Sequence, residues 1–245
     1  MALAYQTSAA SGTDASSYTF SSQAFGTAAS DRYIIVEIAA RAASTRTISS
    51  VTIGGVSATS VIDTHASSST AAIYIAAVPT GTTGDVVVEW SGTMLRCAIA
   101  VYRADNLLSA TAHDTGTSSA EPATDNIDIP ADGMALAVSF ISTSTATLTV
   151  DWTNLTVDAS FLSSASWENN GRASFASATF ASAQTALAIT ADWSGGATPA
   201  FSVASWGFAS GATPVSSDSS AAYSVVGSAQ SSTSAAYSVI GSVQA

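Results

Sequence analysis

The stretch RYIIVEI at residues 32–38 decides the fold, because it is a run of β-branched and aromatic residues without helical periodicity. Similar runs recur between clusters of Gly, Ser, Thr and Asp, among them TAAIYIAAV at 70–78 and GDVVVEW at 84–90. This spacing is typical of antiparallel strands in a sandwich. The abundant alanine is interleaved with Ser, Thr and Val, which weaken helical turns. The sequence therefore predicts an all-β fold, an antiparallel β-sandwich of jelly-roll type.

The C-terminal half repeats this pattern. GMALAVSF, starting at Gly133, corresponds to RYIIVEI, starting at Arg32, and LAITADWSG at 187–195 corresponds to GDVVVEWSG at 84–92. Five such stretches occur in the same order in both halves. Each half has about five recognisable strands, too few to cover both faces of its own sheet, so we expect the halves to pack on each other as one sandwich. Two separate small sandwiches are the alternative.

Composition predicts the domain boundaries. The N-terminal residues and the segment 105–126 are rich in Ser, Thr, Ala, Gly and Asp, which indicates an extended arm and a surface connector respectively. The predicted parts are an extended arm at 1–17, a sandwich at 18–210 with halves at about 18–104 and 124–210, and a linker with two strand repeats at 211–245.

The last part of the chain contains two nearly identical segments, SAAYSVVGSAQ at 220–230 and SAAYSVIGSVQ at 234–244. Their alternation is typical of strands, but a lone hairpin of this composition is marginal in water. The apolar row therefore needs a partner: the edge of the sandwich, a neighbouring copy of the chain, or the surface of a larger particle. We predict that assembly contacts are made by the largest side chains of these segments, namely Tyr223, Val225, Val226, Tyr237, Val239 and Ile240.

Charge and hydropathy exclude several functions. The 245 residues include six arginines and no lysine, and the formal net charge is −11. Binding to a phosphate backbone depends on clustered cations, so nucleic acid is not an expected partner. No segment approaches about 18 consecutive apolar residues, and the N-terminus has no basic leader, so we expect no membrane span and synthesis in a cytoplasm. Cys97, the single cysteine, is predicted to be a small buried strand residue.

The sequence offers little catalytic chemistry. His65 and His113 are the only histidines, and each has an aspartate nearby, but no GxSxG motif or comparable nucleophile setting is present. One cysteine and two histidines do not suffice for a closed zinc site. We therefore predict a protein that is not an enzyme, with no catalytic, cofactor-binding or metal-binding residues.

One acidic segment, EPATDNIDIPADG, allows a calcium site or a set of turns. Its carboxylates could join backbone carbonyls around Ca²⁺, although the spacing does not match an EF-hand loop. Aspartates that form turns before a strand explain them equally well. The residues concerned are Glu121, Asp125, Asp128 and Asp132.

The tryptophans divide into two groups. Trp90 and Trp193 both precede Ser-Gly at equivalent places in the two halves, which indicates a repeated packing role. Trp152 and Trp167 are the better candidates for exposed rings. An exposed ring next to polar side chains is typical of a sugar platform, so the candidate glycan contact comprises Trp167, Glu168, Asn169 and Asn170.

Three stretches carry a family resemblance: VTIGGVSATSVID at 51–63, AAIYIAAVPTGTTGDVVVEWSG at 71–92 and LRCAIAVYRA at 95–104. Together they resemble an Ala/Ser/Thr-rich β-sandwich type found among structural proteins of tailed bacteriophages and gene-transfer particles. The resemblance covers roughly residues 20–210, and the paired tail segments are also similar to phage virion proteins. These motifs are typical of a type of sheet and turn, and the resemblance implies no functional residues.

The resemblance implies a non-enzymatic virion component, most simply a capsid decoration or cement subunit or a head-fibre subunit. Such a protein would be made in the bacterial cytoplasm and lie on the virion surface. Its expected partners are capsid or tail subunits and further copies of itself, with contacts made through the termini. The alternative is a carbohydrate-binding or receptor-binding module of a phage tail tip or fibre, with a host glycan as the ligand.

Overall fold

A computed structural model describes residues 3–143, 148–161, 171–194 and 198–209. These residues form seventeen strands and no helix, and every strand pairing is antiparallel, which confirms the predicted all-β class. In the described part of the chain there is consequently no helix that could cross a membrane. Residues Met1–Gly211 form one compact unit. The predicted strand repeats lie outside the described residues.

The N-terminal half contains nine strands. They are β1 (Leu3–Ser11), β2 (Ala15–Ala24), β3 (Arg32–Arg41), β4 (Ile48–Ile53), β5 (Val56–Ser57), β6 (Thr59–Ala66), β7 (Ser69–Ala77), β8 (Thr83–Met94) and β9 (Arg96–Asp105). One sheet has the order β1-β9-β3-β7-β6, and the other has the order β2-β8-β4-β5.

The pairing of these strands is that of a jelly roll. The first strand pairs with the last, β2 with β8, β3 with β7, and β4 with β5, as in one long hairpin rolled into two sheets. The short strand β5 and the longer β6 are separated only by Ala58. Because β5 pairs with β4 and β6 pairs with β7, this part of the chain passes from one sheet to the other.

The C-terminal half contains eight strands in the same arrangement. They are β10 (Asp114–Ser118), β11 (Ala123–Ile129), β12 (Gly133–Ile141), β13 (Val150–Thr153), β14 (Thr156–Phe161), β15 (Arg172–Phe180), β16 (Gln184–Trp193) and β17 (Pro199–Gly207). The sheet order β10-β17-β12-β15-β14 reproduces β1-β9-β3-β7-β6, and β11-β16-β13 reproduces β2-β8-β4, with no counterpart of β5 among the described residues. The duplication inferred from sequence is therefore present in the topology: the five matched stretches occupy equivalent strands.

Two predicted boundaries are wrong within the described residues. Residues 1–17 were expected to form an extended arm outside the sandwich, which begins at residue 18 in the prediction, but Leu3–Ser11 is an edge strand of the first sheet, paired with β9. The expected connector at 105–126 contains β10 and the start of β11, which are the counterparts of β1 and β2. These strands are poor in large apolar residues because edge strands bury little surface, and for this reason their sequences are similar to those of loops.

Each half buries a core of its own, so the expectation of one shared sandwich is replaced by its alternative, two small ones. In the first half, Ile34 and Val36 of β3 pack against Val86 and Val88 of β8. Cys97 lies in the same cluster and is fully buried, as predicted. In the second half, the corresponding core includes Ala135, Ala137, Ile189, Ala191, Phe201 and Val203.

The two jelly rolls then stack through their five-stranded sheets, which we call the inner sheets; the other two are the outer sheets. The contact between the inner sheets, here called the joint, is a third apolar cluster with Ile35 and Ile73 on one side and Leu136 and Phe175 on the other. Both faces of each inner sheet are thus covered. This double burial explains why β3 and β12 are nearly continuous apolar runs instead of alternating ones.

Candidate functional site

The joint contains a buried polar group, which is the most unusual arrangement in the described part of the chain. Glu37 lies in the middle of β3, faces the joint and has no solvent exposure. The hydroxyl of Tyr102, on β9, lies 3.0 Å from Oε2 of Glu37 and 3.0 Å from Oδ2 of Asp158, on β14. Because Asp158 belongs to the second jelly roll, this contact connects the two halves of the chain.

The number of protons available for hydrogen bonding determines the charge state of the cluster of Glu37, Tyr102 and Asp158. A phenol has one O–H, so Tyr102 donates to only one of its two carboxyl neighbours. The other contact is a hydrogen bond only if that carboxyl is protonated and donates to the phenol oxygen. Glu37 is the more deeply buried of the two, and its Oε1 has no partner among the described residues. We therefore assign the proton to Glu37, which donates to Tyr102, while Tyr102 donates to Asp158.

Electrostatics agree with this assignment. Burial raises the pKa of Glu37 well above its usual range, against the smaller opposing effect of the Tyr102 hydrogen bond, and the nearby Asp158 raises it further. Burial also raises the pKa of Asp158, although hydrogen bonds from Ser177 and Tyr102 oppose this shift. The joint therefore favours a neutral Glu37 at a pH where an exposed glutamate is ionised.

A buried arginine lies at the beginning of β3. Arg32 is only 1% exposed, and the ion pairs found among the described residues do not include it. Instead, its nitrogens donate to five backbone carbonyl oxygens at 2.7–3.3 Å, those of Phe25, Gly26, Val78, Thr80 and Gly81. Arg32 thus connects the loop after β2 to the loop between β7 and β8.

Neither residue is repeated at the equivalent position of the second jelly roll. In the alignment of β3 with β12, Arg32 corresponds to Gly133 and Glu37 corresponds to Val138. The sequence did contain a signal, because both residues are charged and stand within an otherwise apolar run. What could not be read from it was their partners, which come from distant loops and from the other half of the chain.

The two histidines were predicted to have no catalytic role. His65 does lie between a carboxylate and a hydroxyl, with Nε2 at 3.0 Å from Oδ1 of Asp63 and Nδ1 at 3.0 Å from Oγ1 of Thr70. The order carboxylate, imidazole, hydroxyl is that of a catalytic triad, but the ring nitrogens are exchanged, because in a triad Nδ1 faces the carboxylate and Nε2 faces the hydroxyl. Thr70 is also only 2% exposed, so its hydroxyl is not accessible to a substrate, and its contact with His65 joins β6 to β7.

The carboxylates of the acidic segment considered for calcium accept hydrogen bonds from the protein's own backbone. Asp125 accepts a hydrogen bond from the N–H of Thr117, and Asp128 accepts one from Ala186. Glu121 accepts one from Trp193. Among the residues that the structure describes, no three His, Cys, Asp or Glu side chains are placed to hold a metal ion.

The tryptophans confirm the packing prediction in part. Trp90 and Trp193 are both buried, at 5% and 2% exposure. Trp152, expected to be exposed, is half-buried because it donates to Ser174 and packs against Phe201. The candidate glycan residues Trp167, Glu168, Asn169 and Asn170 lie outside the described residues, as do all six predicted tail contacts, Tyr223, Val225, Val226, Tyr237, Val239 and Ile240.

Three shallow depressions on the described surface offer little for catalysis. The largest, about 580 Å³, lies between the β6 edge and the segment before β10, and no charged side chain lines it. Asp85 is the one charged residue in the second, and His113 is the one titratable residue in the third. None of the three brings together an acid and a base.

Fold and site together define a tandem jelly-roll protein whose largely apolar joint contains the buried Glu37–Tyr102–Asp158 cluster. Comparisons with protein-family models, with curated proteins and with solved structures find no match for this chain. The functional argument therefore depends on the described residues and on the sequence.

Proposed function

We propose that the chain is a non-enzymatic structural protein of a phage virion, a capsid decoration or cement subunit or a head-fibre subunit. The observation that carries the proposal is the joint, because apolar side chains of both inner sheets pack there and hold the two jelly rolls together as one block. Jelly rolls are common in viral capsid proteins. The resemblance of residues 20–210 to phage structural proteins supports the same assignment.

The outer surface also suits a structural role. The outer sheets expose short side chains such as Thr124, which hydrogen-bonds to Thr190 across the sheet, together with acids such as Asp85, Asp151 and Asp192. Such a surface gives each copy few strong contacts, so many copies have to act together on a particle. Capsid or tail subunits and further copies of this chain are the proposed partners.

The direct test is to purify particles from a host that carries the gene and to quantify this chain by mass spectrometry. We expect the chain to co-purify with the particles. Hundreds of copies per particle would indicate a coat on the capsid, whereas a handful would indicate a fibre or tail position. Absence of the chain from purified particles would contradict the proposal.

Deleting residues 212–245 tests the proposed role of the C-terminal segments. We expect the shortened chain to remain soluble and folded, because Met1–Gly211 is compact without them. It should no longer assemble on particles, since the two apolar strand segments are removed. Circular dichroism and thermal unfolding report the fold, and co-sedimentation with particles reports assembly. An unfolded product would show that these residues belong to the core.

A second candidate, a receptor-binding module for a host glycan, is favoured by one observation: the jelly roll is also an architecture of lectins. Replacing Trp167 with alanine should then abolish saturable quenching of tryptophan fluorescence by host polysaccharide, because the stacking ring is lost. Trp167→Phe is the matched control and should retain binding. Equal binding by the alanine variant and the unmodified protein would contradict this candidate.

A further inference from the structure

β1 is the outermost strand of the first inner sheet, and its second edge has no strand beside it in the described part of the chain. Residues Leu3–Ser11 include no charge and no proline. No described side chain accepts a hydrogen bond from a backbone N–H of this strand. Proteins usually protect such edges with charges, proline, bulges or short length. β1 is nine residues long, and its one such feature is a bulge at Gln6.

The second jelly roll provides an internal comparison, because β10 is the counterpart of β1. β10 has only five residues, and the carboxylate of Asp125 lies across its edge and accepts a hydrogen bond from Thr117 N–H at 2.8 Å. A side chain on Gly116 would lie 2.7 Å from that carboxylate, which shows how closely Asp125 covers the strand. Asp114 adds a second carboxylate, which accepts a hydrogen bond from Asp128. Among the described residues, one edge is thus covered and the equivalent edge is open.

The regular part of the open edge is Thr7–Ser11. Before it, the bulge interrupts the register with β9, and the Gln6 side chain donates to the carbonyl of Ala4. From Thr7 to Ser11 the register is unbroken, with Thr7 opposite Val101 and Ser11 opposite Cys97. The sequence here is TSAAS, whose small side chains allow another strand to approach closely.

We propose that this edge pairs with the same strand of a second copy of the chain, antiparallel across a two-fold axis. Antiparallel pairing of a strand with itself is self-complementary, as a two-fold interface requires. The chain carries a net charge of −11, so two copies repel each other least where they meet through an uncharged segment. With Ala9 at the axis, Thr7 lies opposite the partner's Ser11, and the two five-stranded sheets become one of ten strands. This inference deepens the proposed assembly role, but it does not use the C-terminal segments.

Cysteine trapping in the full-length chain tests the pairing, since the native Cys97 is buried and does not interfere. Cysteine is introduced singly at Ser8, Ala9 and Ala10, and the protein is oxidised and analysed on a non-reducing gel. We expect at least one variant to give a disulfide-linked dimer in more than half of the chains, because self-opposed residues in an antiparallel pair lie within disulfide range. Thr115→Cys on β10 is the matched control and should give no disulfide-linked dimer on the gel.

Light scattering tests the same contact without a cross-link. The unmodified chain of 24.4 kDa should have twice this mass, and Ser8→Lys should have the monomer mass because the lysines place two charges at the paired edge. Thr117→Lys on β10 should remain dimeric, and thermal unfolding should show both variants folded.

Two results would overturn the inference. One is an unmodified chain that is monomeric up to about 1 mM. The other is a dimer that survives Ser8→Lys but is lost when Tyr223 and Tyr237 are both replaced by serine. The second result would refute the β1 contact while supporting the proposed assembly through the C-terminal segments, so the two proposals fail separately.

Discussion

Replacing Arg32 with methionine should lower the free energy of unfolding by about 3–5 kcal/mol, because a buried charge is removed from the carbonyls that it satisfies. Five backbone oxygens, all in or next to loops, would lose their donor in a site that is 1% exposed. Urea unfolding measures the change as a lower midpoint at an unchanged m value. Arg32→Lys should give an intermediate loss, since an ammonium has three donors where the guanidinium has five.

Arg103→Met is the matched control for this prediction. Arg103 pairs with Asp105 near the surface, and both side chains are partly exposed. Because this ion pair is only partly buried, it should contribute about 1 kcal/mol, so Arg103→Met should lose clearly less stability than Arg32→Met. If the free energy of unfolding of Arg32→Met also lies within about 1 kcal/mol of that of the unmodified protein, the hydrogen bonds from Arg32 to the five carbonyls do not stabilise the fold as proposed.

Replacing Glu37 with glutamine should make the protein more stable than the unmodified chain at alkaline pH, and this advantage should grow as the pH rises. The folded protein holds the Glu37 proton to a higher pH than the unfolded chain, because burial raises the pKa of this carboxyl. Its contribution to stability is therefore complete below the unfolded pKa of about 4.3 and is lost as the pH rises towards the folded value. The loss amounts to at most about 1.4 kcal/mol per pH unit.

Glutamine is a close mimic of the protonated carboxyl, since its N–H₂ group can donate to the Tyr102 oxygen, which is the role assigned above to protonated Glu37. Urea midpoints measured from pH 4 to pH 9 give the difference between the two proteins, which isolates residue 37 from Asp158. Infrared spectroscopy at neutral pH should also show a protonated-carboxyl band that the variant lacks. A pH-independent difference in stability, together with no such band, would show that Glu37 is ionised in the joint.

The sequence was informative where burial was greatest. Runs such as RYIIVEI and GMALAVSF identified β3 and β12 because central strands covered on both faces are apolar throughout. The repeated Trp-Ser-Gly motif likewise aligned β8 with β16. Strands at the edges gave no comparable signal. β1 and β10 consist mainly of Ser, Thr, Ala and Gly, a composition equally typical of arms and loops.

Because the edge strands were not recognised, the predicted number of sheets was too low. Without β1, β2, β10 and β11, each half had five recognisable strands, and one shared sandwich was the reasonable inference. The missing strands complete each jelly roll and allow the inner sheets to stack. The buried network shows a second limit, since a glutamate in an apolar run is visible in the sequence, but the partner Asp158 lies in the other half.

Fusing the two jelly rolls has a consequence for what the joint can contain. Were this block a homodimer of single jelly rolls, every residue on the contact face would occur twice, and an inward-facing acid would be accompanied by an identical acid from its mate. In one polypeptide the two faces are encoded separately, so Glu37 is matched by an aliphatic residue, Val138, at the equivalent position. Because the two faces are encoded separately, a mutation can change one face of the joint without changing the other. The fused block therefore also has two different ends, as a subunit with a fixed orientation requires.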